Sequence, residues 1–260
     1  MVETPRSDKV RFARTAAAPP ATASASIRRA GYNRRMAAGT VHPITIAGPA
    51  GALEALWKEP EEVRRGCAVV AHAHPMHGGT MHFKVVFRIA RALSRAGFGV
   101  LRFNFRGVGA SEGVHDFGRG ERGDFLAALA EAQRRGGLPA VAAGFSFGST
   151  VALAAGEADG RVAGLVAAGL PLARWNFEGL ERIEKPALVI SGDRDEFAEA
   201  SALAAAVARR FARARFVLVP GSDHFFGGHL DALEQNVFAF AAELSGAAAL
   251  AGSGAGTGAA

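Results

Sequence analysis

Between Val41 and Leu244 short apolar runs alternate with segments of helical periodicity, and so many crossovers fit only a sheet whose neighbouring strands run mostly parallel. Val41 to Ala47 and Ala52 to Lys58, joined by Gly48-Pro49-Ala50-Gly51, open the series as a hairpin. Cys67 to Ala71 is a short buried strand. Phe83 to Arg95 then sets Val86, Ile89, Ala90 and Leu93 at helical spacing, with Lys84, Arg88, Arg91 and Arg95 on the other face. Strand-like runs follow at Phe98 to Phe103, Leu138 to Ala143, Val162 to Ala168, Pro186 to Ser191 and Arg215 to Val219. Helices are expected over Glu121 to Arg134, Ser149 to Ala155, Phe197 to Phe211 and Leu230 to Leu244. The pattern predicts an α/β domain over 40–244, a mostly parallel, twisted sheet of about eight strands with helices on both faces.

The flanks differ in composition. Residues 1–39 hold eight of the 30 Lys and Arg but two of the 24 Asp and Glu, so the remaining 22 of each sign leave the domain electroneutral. The net charge of +6 therefore belongs to the first segment, and nucleic acid is not an expected partner of the domain. That segment lacks the apolar stretch of a secretory signal and predicts a disordered basic tail or a start assigned upstream of Met36. An Arg- and Ser-rich transit peptide is the third reading. Residues 245–260, rich in Gly, Ala and Ser, are expected to be a flexible end. Cys67 is alone, which excludes an intrachain disulfide, and no long uninterrupted apolar run suggests a membrane span. A cytoplasmic protein is the expectation.

Chemistry concentrates where strands end. Gly144-Phe145-Ser146-Phe147-Gly148 sits between the apolar run before it and the helical segment after it. A serine between two glycines at such a junction can be held on a sharp turn with its hydroxyl exposed, since neither glycine carries a Cβ to block strand and helix. A plain small-residue turn is the competing account. A serine hydroxyl is a poor nucleophile at neutral pH and needs a base, and the base needs an acid to orient it. Two later strand ends carry candidates. Pro186 to Ile190 leads into Ser191-Gly192-Asp193-Arg194-Asp195-Glu196, and Phe216 to Val219 into Pro220-Gly221-Ser222-Asp223-His224.

With these three elements in the order serine, acid, histidine, the stretch from Thr40 to Leu244 resembles the α/β-hydrolase superfamily. The resemblance implies Ser146 as nucleophile, His224 as base and Asp195 as the orienting acid, with Asp193 as runner-up. His72-Ala73-His74-Pro75-Met76-His77-Gly78-Gly79 and Arg102-Phe103-Asn104-Phe105-Arg106-Gly107-Val108-Gly109 further resemble small, uncapped bacterial hydrolases of the dienelactone-hydrolase-like type. Ala73 departs from the usual His-Pro-His-Pro of that group. The implied reaction is hydrolysis of an ester, thioester or amide of a small soluble substrate through an acyl-enzyme, without a cofactor.

The loop after Ala71 is where a second oxyanion donor belongs. The backbone N–H of Phe147 is the expected first donor and that of His74 the second, with Met76 competing. Met76 and Arg106 are also candidate substrate contacts, although Arg106 equally suits an ion pair with Asp116, Glu121 or Asp124. The cluster of His72, His74 and His77 raises a metal-dependent hydrolase as the alternative, but the His-x-His-x-Asp-His pattern would need Asp where Met76 stands. A third reading is a non-catalytic binding protein on the same fold. Only Gly169 to Lys185 separates two strands, too little for a large lid. The sequence sets neither the substrate nor the oligomeric state.

Overall fold

The computed structural model describes residues 10–12, 39–61, 64–172 and 182–253. Trp175, the middle of the Gly169 to Lys185 connection and most of the basic segment 1–39 lie outside the described residues.

The expected hairpin is β2 (Val41–Gly48) and β3 (Gly51–Lys58), antiparallel in register from Val41 opposite Lys58 to Gly48 opposite Gly51. The parallel strands are β4 (Gly66–Ala71), β5 (Phe98–Phe103), β6 (Ala140–Phe145), β7 (Val162–Ala168), β8 (Ala187–Gly192) and β9 (Ala214–Val219). With a three-residue strand β1 (Val10–Phe12) laid parallel on β9, the order across the sheet is β1-β9-β8-β7-β6-β4-β5-β3-β2. The eight strands β2 to β9 make the expected sheet. β1 adds an edge strand from within the segment expected to be a disordered tail, in register from Val10 beside Ala214 to Phe12 beside Phe216.

Helices α1 (Lys84–Arg95) and α5 (Leu230–Ser253) cover one face, and α2 (Arg119–Gly136), α3 (Phe147–Ala158) and α4 (Ala200–Arg210) the other. Because side chains alternate along a strand, each central strand supplies both cores. Cys67 and Val69 of β4 join Phe125, Leu129 and Val151 on one face, while Ala68 and Val70 join Ile89, Leu93 and Val237 on the other. Each buried aliphatic side chain contributes about 1.5–3 kcal/mol, which is why these strands tolerate almost no polar residue.

α5 runs past Leu244 to Ser253, through residues expected to be a flexible end. Alanine has the highest helix propensity, and the Ala-rich run 247–251 continues the helix despite Gly246. α4 is shorter than its periodicity suggests, because the Glu199 side chain accepts the amides of Ser201 and Ala202 and caps the helix there. The polar face of α1 has a specific partner. Arg88, Arg91 and Arg95 converge on Glu234 of α5, a carboxylate only 3% exposed, and so fasten the two helices together. Burial alone would raise the Glu234 pKa, but the three guanidinium groups outweigh it and hold it below the usual range. Among the described residues no helix is long and apolar enough to cross a membrane.

The chain adds β5 on one side of β4 and then returns to place β6 on the other. A crevice opens where strand order reverses in this way, at the carboxyl ends of the parallel strands. Those ends carry His72, Ser146, Asp195 and His224.

Candidate active site

β6 passes through Ser146 into α3 at a backbone angle of φ 53°, ψ −123°, a conformation that L-residues rarely adopt. Flanking packing holds it there. A Cβ on Gly144 would lie 2.1 Å from the Gly148 carbonyl oxygen, and one on Gly148 would lie 2.4 Å from the carbonyl oxygen of His72. Both glycines are therefore required for strand β6, helix α3 and the end of β4 to approach so closely. The Ser146 N–H donates to the Ala168 carbonyl at 2.9 Å, and the Ser149 hydroxyl donates to the Ser146 carbonyl at 2.6 Å. The side chain is left facing the crevice.

There Ser146 Oγ lies 3.0 Å from His224 Nε2, and His224 Nδ1 lies 2.9 and 3.0 Å from the two oxygens of Asp195. The three groups come from β6, from the loop after β9 and from the loop after β8. Asp195 also accepts the Ser191 hydroxyl at 2.8 Å and the Phe197 amide at 2.9 Å. Burial pushes its pKa up, but the hydrogen bond and charge of His224, with those two further donors, more than reverse this and leave it lowered. Asp195 is thus held as a carboxylate, and that charge fixes the Nδ1–H tautomer of His224 and leaves Nε2 to accept from Ser146. Asp193, the runner-up acid, is elsewhere: its Oδ1 accepts the Gly221 amide at 2.7 Å and ties the two loops together.

Sequence reasoning missed Ser191 and Phe197. Ser191 ends β8 four residues before Asp195, so its position at a strand end next to an acid was the available signal. Phe197 packs its ring 4.5 Å from His224, while Phe145 and Phe225 each lie 5.1 Å away, so the imidazole is walled by aromatic rings. Nothing in the local pattern of Phe197 announces that contact.

Phe147 is the first residue of α3, so its backbone N–H stands at the positive end of the helix dipole directly after Ser146. The His74 ring lies 5.1 Å from the Phe147 ring, which brings the loop after β4 against the same helix end. Met76 N–H, the competing oxyanion candidate, donates to His74 Nδ1 at 3.2 Å within its own turn. The Met76 side chain stands 72% exposed on that turn.

Arg106 departs from its candidacy as a substrate contact. Its guanidinium makes two bonds to Asp124, at 2.9 and 2.7 Å, and one to the Gly120 carbonyl at 2.7 Å, with Asp124 fully buried. The bidentate match of guanidinium to carboxylate inside the loop outweighs a free position at the crevice. Arg106→Ala leaves that carboxylate buried without its cation, so urea unfolding is expected to show a loss of about 3–5 kcal/mol, larger than any change in KM.

The histidine cluster is also spoken for. His72 donates from Nδ1 to the Ala73 carbonyl at 2.6 Å, and its Nε2 accepts the Phe105 amide at 3.0 Å. Both ring nitrogens are used, so His72 cannot join His74 and His77 around one ion. Among the described residues no group of three or more His, Cys, Asp or Glu is placed to hold a metal. Burial lowers the His72 pKa from 6.5 to about 4, with the Ala73 carbonyl opposing the shift in part. The unfolded chain then binds a proton that the folded chain refuses between those two values, so stability falls as pH drops through the window. Denaturation at pH 7 and pH 4 is expected to differ by roughly 3 kcal/mol from this residue, and His72→Gln should flatten that part of the profile. Asp195, with its lowered pKa, contributes to acid destabilisation only below the ordinary 3.8 of a free carboxyl, outside that window.

A family described as an alpha/beta hydrolase domain matches residues 66–235. The chain belongs to the α/β-hydrolase family. It is 35% identical to an α/β serine hydrolase homologue from Coxiella burnetii, whose structure superposes with a TM-score of 0.72 over 76% of this chain and 95% of that one. It is 34% identical to a Xanthomonas campestris protein described as an α/β serine hydrolase without a lid, with a TM-score of 0.71 over 77% and 93% of the two chains. An uncharacterized protein of Rickettsia prowazekii is 31% identical over 193 residues, 70% of this chain and 81% of that one. This α/β-hydrolase is accordingly a hydrolytic enzyme.

Proposed function

We propose that this hydrolase cleaves a carboxylic ester, thioester or amide of a small substrate through an acyl-enzyme on Ser146. The observation that carries the reading is the unbroken chain of hydrogen bonds from Ser146 Oγ through His224 to Asp195. Ser146 Oγ attacks the carbonyl carbon as its proton passes to His224 Nε2, and the carbonyl oxygen becomes an oxyanion facing the backbone N–H groups of Phe147 and His74. When the bond to the leaving group breaks, His224 gives that proton to the departing atom. Water then repeats the sequence on the acyl-enzyme, with His224 again as base, and Ser146 is restored.

Asp195 takes no proton in this scheme. It holds His224 in the productive tautomer and stabilises the imidazolium that forms at each step. In this reading Met76, exposed on the turn beyond His74, contacts the bound acyl group. The Xanthomonas relative is described as lidless, and a short connection between β7 and β8 favours the same open site here, suited to small or extended substrates. The test is covalent trapping: a fluorophosphonate probe is expected to attach to the peptide containing Ser146. Attachment to any other residue, or ester hydrolysis that requires added zinc, overturns the reading.

A further inference from the structure

A second histidine held by a buried acid packs against the start of α3, and the chemistry above does not use it. His115 lies in the loop between β5 and α2 with its side chain 8% exposed, and its Nδ1 is 2.8 Å from Oε1 of Glu121 in the first turn of α2. Glu121, fully buried, also accepts the Asp116 amide on Oε1 and the Gly118 amide on Oε2, each at 2.8 Å. Because Phe125, Ala128 and Leu129 seat α2 in the core, Glu121 is a fixed point. The far nitrogen of His115, Nε2, is buried and has no hydrogen-bond partner among the described residues.

What the ring touches gives it a role. The His115 ring lies 4.8 Å from that of His74 and 5.6 Å from that of Phe147, and the His74 and Phe147 rings are themselves 5.1 Å apart, so the three close a triangle. The turn that carries His74 sets its own shape, since the His74 carbonyl accepts the His77 amide at 3.0 Å and the Gly79 amide at 3.1 Å. Those bonds do not set its distance from α3. The His115 ring bears on that distance, because it packs on both residues assigned to the oxyanion in the reading above. A phenylalanine would fill the same place without burying an unpaired nitrogen, which is costly. Histidine adds what phenylalanine lacks, a nitrogen that Glu121 can hold, and that bond fixes the angle of the ring as well as its place.

We propose that His115, anchored by Glu121, is a positioning residue for the oxyanion site: its ring backs the His74 turn and holds the His74 N–H at its working distance from that of Phe147. The proposal rests on the acyl-enzyme reading above. Such donors lower the barrier only while they are aimed at the place where charge develops, and a displacement of about 1 Å can cost on the order of 10²-fold. Acylation and deacylation both pass through an oxyanion, so a misplaced donor slows both steps alike. The loss therefore falls on kcat and leaves KM steady.

The test uses the full-length enzyme, an activated acetate ester, and a trifluoromethyl ketone whose hemiketal with Ser146 carries the oxyanion. Every rate is divided by the number of sites that a fluorophosphonate labels at completion, so unfolded molecules do not count. Loss of turnover in Ser146→Ala first establishes that the serine reading holds. His115→Ala is expected to lower kcat about 10²-fold with KM within about twofold of wild type, and to weaken the ketone by the same factor as kcat/KM. His115→Phe, which restores the ring, is expected to recover turnover to within about tenfold of wild type. His115→Asn, whose amide can still donate to Glu121 but which has no ring, is expected to stay within about threefold of His115→Ala. A residue that only ties its loop to α2 would give the reverse order, with asparagine the better substitute. The comparison of phenylalanine with asparagine stands even if His115→Ala does not fold. The proposal is overturned by that reverse order, by a kcat within about twofold of wild type in His115→Ala, or by a fall in kcat that leaves the affinity for the ketone unchanged. Turnover that survives in Ser146→Ala would instead sink the acyl-enzyme reading itself.

Discussion

Ser146→Ala is expected to reduce kcat by on the order of 10⁴- to 10⁶-fold and to abolish fluorophosphonate labelling. No neighbouring group can take over. The Ser149 hydroxyl is turned away, donating to the Ser146 carbonyl at 2.6 Å. Cys67 is a buried residue on β4, where burial pushes its thiol up to about 12, so it is neither exposed nor ionised. The variant should fold as well as the parent, since among the described residues Ser146 Oγ bonds only to His224 and belongs to neither core. Thermal denaturation therefore serves as the control, and a fall in melting temperature large enough to explain the lost activity would remove its meaning. Turnover that persists with an intact fold would show that Ser146 is not the nucleophile.

Much of this site was legible along the chain. The alternation of strand and helix segments implies a parallel sheet, such a sheet exposes its carboxyl ends at one edge, and the residues following β6, β8 and β9 are Ser146, Asp195 and His224. What could not be read was pairing between distant polar groups. Hydrophobic periodicity states which face of α1 is buried but not that Arg88, Arg91 and Arg95 share one carboxylate from α5. Arg106 had three acidic residues within reach of its loop, and only the folded path of α2 selects Asp124. The pairing of β1 with β9 joins segments some two hundred residues apart, and three residues carry too little pattern to be recognised alone. The extension of α5 escapes the pattern for a different reason: Gly/Ala low complexity points to a flexible end, although alanine is a strong helix former. Asp193 and Asp195 differ by one turn of loop, and their roles separate only when Gly221 claims one and His224 the other.

That separation gives the second large effect. Asp195→Asn is expected to lower kcat by about 10⁴-fold, whereas Asp193→Asn should stay within about twofold of wild type. The contacts of Asp195 dictate how the amide must sit. The Oδ1 position receives the Phe197 backbone N–H at 2.9 Å, a fixed donor that demands an oxygen, so the amide NH₂ is forced into the Oδ2 position. There the Ser191 hydroxyl, now donating at 2.8 Å, can rotate to accept instead. The same NH₂ faces His224 Nδ1 at the 2.9 Å occupied by the carboxylate oxygen, and it can only donate to it, in competition with the retained Oδ1 at 3.0 Å, which accepts from an Nδ1–H. The change therefore favours the tautomer of His224 with its proton on Nε2, which meets the Ser146 hydroxyl as a donor and cannot take the proton from it. The charge that steadies the imidazolium is lost as well. At Asp193 the amide oxygen of asparagine still accepts the Gly221 N–H, so the loop tie survives the change. Steady-state kinetics of the two variants on one activated ester, with circular dichroism to confirm folding, decide the assignment. Comparable losses at both positions would mean that Asp195 orients His224 no more than its neighbour does.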